Sequence, residues 1–154
     1  MNKNTVLTLV AAIAAQLTIH AADDHGHSHA AKAAGPNGGR LISAVEPHAE
    51  FLLTPDRKIQ ITFVGENGQS IAPDQQVVTV TTGERSAPVK LTFVKTGEVL
   101  ISEQVVPEGN NLPVVVQIKT SPEAKTVIEK FHLNPAICPG CQKAEYACTC
   151  EHGH

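Results

Sequence analysis

Tryptophan is absent from this chain of 154 residues, tyrosine occurs once and phenylalanine four times. So few flat rings leave little on which bases or sugars could stack. Basic clusters are missing too. Twelve Lys and Arg face fifteen Asp and Glu, the net charge is −3, and Arg57-Lys58 is the only adjacent basic pair. Without a basic stripe to hold phosphates, no nucleic-acid partner is expected. No glycine-rich phosphate loop, strand–helix alternation or internal repeat of 20–50 residues is visible. Ser43, Ser70, Ser86 and Ser102 lack a nucleophile-elbow context, and no paired carboxylates stand out. The expectation is therefore a protein that is not an enzyme.

Long apolar runs are also lacking, with one exception. Val6 to Leu17 is interrupted only by Thr8 and Gln16. It follows Lys3 and precedes Ile19-His20-Ala21, which reads as an export signal over residues 1–21, cleaved near Ala21 or Ala22. The run is too short to span a membrane. No cysteine stands at the junction to take a lipid. The expected product is periplasmic or secreted, with no membrane span in its mature form.

The next segment is polar and small. Residues 22–39 contain Asp23-Asp24 and then His25, His27 and His29 on alternate positions, with no bulky apolar residue to bury. Such a segment reads as a flexible arm. Its three imidazoles beside two carboxylates suit loose binding of a metal ion.

From Arg40 the composition turns to Val, Ile, Thr and Phe in short runs separated by Gly, Pro, Asn and Asp. Strands are expected at Arg40–Val45, His48–Thr54, Lys58–Val64, Gln76–Thr82, through Val89, Leu91 and Phe93, at Glu98–Val106, and at Leu112–Thr120. In the third, Ile59, Ile61 and Phe63 point inward, and Lys58, Gln60 and Thr62 outward. Thr54-Pro55-Asp56-Arg57 and Gly65-Glu66-Asn67-Gly68 are turn signals. Residues 121–133 fit two patterns. Ser121-Pro122-Glu123 resembles a helix start, whereas Thr126, Val127, Ile128 and Phe131 favour a strand. The reading adopted is a turn at Pro122–Ala124 and a strand from Thr126 to Leu133. The whole, residues 40–133, predicts an all-β fold: an antiparallel, immunoglobulin-like sandwich of seven to eight strands between flexible N- and C-terminal tails.

Cysteine is missing from the first 137 residues, and all four lie within the next thirteen, as Cys138-Pro139-Gly140-Cys141 and Cys148-Thr149-Cys150. These sulfurs reach one another and nothing distant. One reading is a soft-metal site in residues 134–154. Four thiolates suit Zn²⁺, with Cu⁺ as the alternative, and His152 and His154 stand close enough in sequence to join them. The other is a pair of local disulfides, favoured by an oxidising compartment. A third, a redox Cys-x-x-C, lacks the helix N-terminus that lowers thiol pKa. His48 and Glu50, two apart on one strand, form a further candidate: a metal-binding pair, or a histidine oriented by a carboxylate, against the plainer reading of a solvated ion pair. His132, six residues before Cys138, is read as solvated.

Pro36-Asn37-Gly38-Gly39 followed by His48-Ala49-Glu50 resembles the P-[HN]-G-G…H-x-E opening of small exported bacterial β-domain proteins with His-rich leaders. The tail from Cys138 to Cys150 is similar to tails on a subset of them. The resemblance implies a periplasmic or secreted β-domain and assigns no activity. Two functions stay open at this point. One is zinc or copper buffering or delivery through the tail and the arm. The other is an interaction module with a disulfide-stapled tail that docks on an envelope protein partner.

Overall fold

Alternating Val, Ile, Thr and Phe build strands throughout the computed structural model, which describes residues 33–150. β1 (Arg40–Ile42), β2 (His48–Leu53), β3 (Ile59–Val64) and the two-residue β4 (Ser70–Ile71) come first. β5 (Val77–Glu84), β6 (Ala87–Leu91), β7 (Phe93–Thr96), β8 (Val99–Ser102), β9 (Leu112–Lys119) and β10 (Val127–Leu133) come after them. One sheet has the order β1-β2-β3-β8-β7, with β4 paired to β3, and the other β10-β9-β5-β6. Every pairing is antiparallel. The two sheets pack face to face, so the expected all-β sandwich is the fold. Among the described residues no helix is long and apolar enough to cross a membrane.

The core is made by the inward half of each alternation. Phe51, Ile59, Ile61 and Phe63 from the first sheet meet Val80, Leu91, Val114, Val116 and Ile118 from the second, all essentially without solvent exposure. Burying each such side chain contributes roughly 1.5–3 kcal/mol relative to leaving it exposed. The turns behave as their residues dictate. Arg57 N–H donates to the Thr54 carbonyl at 2.9 Å, and Gly68, at φ +77°, closes the β3–β4 hairpin through a 2.8 Å bond to the Gly65 carbonyl. Ala124 N–H bonds the Ser121 carbonyl at 3.1 Å, and β10 then pairs with β9 over seven residues, so the strand reading of this stretch holds.

Several expectations change. The run through Val89, Leu91 and Phe93 is two strands in different sheets, not one. At Thr92 the backbone leaves the ladder: its N–H donates to Gln104 Oε1 at 2.7 Å and its carbonyl accepts from Glu103 N–H at 2.8 Å. The expected Glu98–Val106 strand stops at Ser102, whose hydroxyl accepts from Ile59 N–H at 2.9 Å and donates to the Gln104 carbonyl at 2.7 Å, folding the chain back. The outward face of β3 is not solvated at Thr62, which is buried with Glu50 of β2 beneath the turn formed by Gly35 to Gly39.

The segment after Leu133, expected as a flexible tail, is docked on the sandwich through residue 150. Tyr146 N–H bonds the Asn134 carbonyl at 3.1 Å, and Glu145 N–H bonds the Ala136 carbonyl at 2.8 Å. The Tyr146 ring is buried edge-on to Phe51, centroids 5.9 Å apart, while Phe51 meets Phe131 at 5.0 Å. Its hydroxyl accepts the Leu53 N–H at 3.0 Å, taking an edge donor that would otherwise lack a partner. Arg40 spans the junction. Its guanidinium lies over Phe131 at 4.6 Å, donates to Glu129 at 2.7 Å and reaches the Tyr146 carbonyl at 3.4 Å. An aromatic wedge and one arginine thus fix the cysteine segment to the sandwich.

Candidate metal centre

The centre begins as a tight loop. A bridge between Ile137 and Ala144 closes its base, and Cys138 N–H donates to the Lys143 carbonyl at 2.8 Å. Pro139-Gly140 turns the chain, and Gln142, at φ +58°, returns its N–H to the Cys138 carbonyl at 2.9 Å. Gln142 Nε2 donates to the Pro139 carbonyl at 2.9 Å and braces the turn. A 3-10 turn over Glu145–Ala147 then delivers Cys148, whose N–H bonds the Glu145 carbonyl at 3.2 Å. Tyr146 anchors this turn in the core, so Cys148 and Cys150 are carried back over the loop.

The result is convergence of all four sulfurs. Cys148 lies 3.3 Å from Cys138, Cys141 lies 3.6 Å from Cys148, and Cys138 lies 3.9 Å from Cys150. All four Sγ atoms fall within 4.8 Å of one another, with no disulfide among them. A bonded pair would stand near ~2.05 Å. Cys138 and Cys148 are buried, and Cys141 and Cys150 half-buried. Gly140 is required by this packing: a Cβ there would sit 2.9 Å from Cys150 Sγ.

The sulfurs are electrostatically unequal. Backbone N–H groups of Thr149 and then Lys143 point at Cys141 and lower its pKa to about 6. Burial raises the pKa of Cys148. Cys150 is pushed up to about 12, chiefly because it shares a hydrogen bond with the Cys141 thiolate. Negative charge is thus concentrated on Cys141, where backbone donors favour it, and resisted at its neighbours. A cation bound there would offset that crowding, and four convergent thiolates can hold a metal ion.

The other candidates lie elsewhere. Glu50 is fully buried, and its Oε1 accepts Asn37 N–H and Gly39 N–H at 2.8 Å each while Oε2 accepts Asn37 Nδ2 at 2.7 Å. It latches the Pro36-Asn37-Gly38-Gly39 turn to the sheet. A Cβ at Gly35 would lie 2.4 Å from its carboxylate, and one at Gly39 2.4 Å from the Phe51 carbonyl, so those glycines are there for close approach. His48 does not meet Glu50. Its Nδ1 bonds the Val45 carbonyl at 2.7 Å, with Glu46 at 3.5 Å. Their hydrogen bonds go to different backbone partners, Glu50 to the turn and His48 to Val45. His132 is exposed on β10 and stands outside the four-sulfur group. His25, His27, His29, His152 and His154, like residues 1–21, lie outside the described residues.

Sequence reasoning missed Tyr146, the side chain that docks the centre. Its signal was available: the chain's one tyrosine, two positions before Cys148, in an otherwise polar stretch. A cleft of about 350 Å³ opens beside the centre, lined by Arg40, Ser43, His48, Glu129, Tyr146 and Cys148 among others. No family model, curated protein or solved structure matches this chain.

Proposed function

We propose that this chain is an exported, non-enzymatic metal-binding protein that buffers or delivers zinc through Cys138, Cys141, Cys148 and Cys150, with Cu⁺ as the second candidate ion. One observation carries the reading. Four sulfurs placed tetrahedrally at ~2.3 Å from a zinc ion stand about 3.8 Å apart. Three of the six separations, 3.3, 3.6 and 3.9 Å, bracket that value, and all six lie within 4.8 Å. The convergence favours one shared ion over two separate disulfides, in which sulfurs pair off. It therefore weighs against the interaction module with a stapled tail.

The His-rich arm at His25, His27 and His29 would take ions loosely, and His152 and His154 would add donors beside the tail. An export signal and the likeness to exported β-domain proteins support a periplasmic or secreted location, where an envelope protein would receive the ion. The order β2-β3-β8-β7 against β6-β5-β9-β10 supports an immunoglobulin-like scaffold. Titration of the reduced, metal-free full chain with Zn²⁺ tests the proposal. One tightly held ion per chain is expected, lost on Cys138→Ser or Cys148→Ser. Less than one ion, with no effect of either change, overturns it.

A further inference from the structure

We propose that His48 is a transfer ligand, through which zinc enters and leaves the cysteine centre by way of the cleft beside Cys148. The inference rests on the metal-binding function proposed for the four cysteines and adds a route to it.

A backbone carbonyl sets the tautomer. Nδ1 of His48 lies 2.7 Å from the Val45 carbonyl, which can only accept, so Nδ1 carries the proton. Nε2 of the neutral ring then presents a lone pair, and among the described residues it has no hydrogen-bond partner. An imidazole fixed at one nitrogen by a carbonyl and open at the other is the usual arrangement of a metal-binding histidine. Glu46, 3.5 Å from Nδ1, adds negative charge behind the ring.

His48 and Cys148 line the same cleft of about 350 Å³. Cys148 is also one of the four convergent sulfurs, so it belongs to both the wall of the cleft and the centre. His48 belongs to the wall alone, since the resident set of four is already complete without nitrogen. The Arg40 guanidinium on the wall of the cleft is paired with Glu129 at 2.7 Å, which offsets its charge. His48 Nε2 would hold the ion first, and Cys148, on the wall of the same cleft, would take it into the four-sulfur set as the imidazole lets it go. No electron moves. The imidazole enters and leaves neutral, and each thiol that becomes a ligand gives its proton to solvent.

The test uses the reduced full chain and His48→Asn, whose amide nitrogen takes the position of Nδ1, keeps the bond to Val45, and lacks Nε2. Zn²⁺ stoichiometry and equilibrium affinity are measured, then rates of loading and of removal by a chromophoric chelator. Affinity and stoichiometry should be unchanged. Both rates should fall about tenfold, as expected when a ligand held at high effective concentration is lost. Added imidazole should restore the variant's rates and leave the wild type unaffected. Unchanged rates in the variant, with one zinc bound to the wild type, refute the transfer role and spare the cysteine site. A folded variant with lost stoichiometry makes His48 a resident ligand and also refutes it. A wild type that binds no zinc ends both readings.

Discussion

Glu50 separates a structural carboxylate from a metal ligand, and its substitution has a magnitude that the geometry sets. In Glu50→Ala the Gly39 N–H loses its acceptor in a site closed to water, and Asn37 N–H loses the same oxygen at a partly exposed position. Each orphaned buried donor costs roughly 1–3 kcal/mol, so a loss of about 2–4 kcal/mol is expected. Domains of this size have about 5–15 kcal/mol in hand, so the variant should still fold. Glu50→Gln is milder. Its remaining oxygen keeps both backbone bonds, while its new amide faces Asn37 Nδ2, donor against donor, until Asn37 turns over. About 1 kcal/mol is expected, from weaker neutral bonds. Urea unfolding followed by circular dichroism measures both. Equal stability of all three proteins, or a larger loss for Gln than for Ala, refutes the latch. Zinc stoichiometry should be the same in all three. A folded Glu50→Gln chain that had lost its ion would place Glu50 among the ligands.

The docked segment and the loop give further expectations. Tyr146→Phe removes the acceptor of the Leu53 N–H and should cost about 1–2 kcal/mol in the same urea assay. Burial raises the Tyr146 pKa above its ordinary 10.0, so above pH 10 the unfolded phenol loses its proton before the folded one. Wild-type stability should therefore fall as pH rises past 10, more steeply than that of Tyr146→Phe; parallel pH profiles would contradict this. Gly140→Ala drives a Cβ against Cys150 Sγ and should weaken zinc binding about tenfold or more in chelator competition, with the fold intact by circular dichroism. In metal-free protein at pH 7, Cys141, lowered to about 6, should be alkylated by iodoacetamide before the other three. Peptide mapping by mass reads that order, and bound zinc should abolish it.

Much of the scaffold was legible because a half-buried strand writes its period into the chain. Ile59, Ile61 and Phe63 announce β3, and Asn67-Gly68 announces its hairpin. What the period does not encode is the sheet a strand joins. Val89, Leu91 and Phe93 alternate without a break, yet a hydrogen bond from Thr92 to Gln104, twelve residues on, sends β6 and β7 to different sheets. Glu50 was misread for a similar reason. On a strand it looks like a solvated partner of His48, and only the turn packed over it turns that outer face into interior. At the centre, spacing named the four sulfurs but left pairing and convergence open. Convergence depends on Tyr146 being held by Phe51 and Leu53, residues about ninety positions away. A lone aromatic in a polar segment announces burial, not the neighbour that buries it.

X-ray absorption at the zinc edge, on full chain purified without oxygen, reads the ligand set of the ion itself. One zinc per chain with four sulfur neighbours near ~2.3 Å is expected. A shell of nitrogen and oxygen alone, or a protein carrying no ion with its sulfurs joined in pairs, would contradict it.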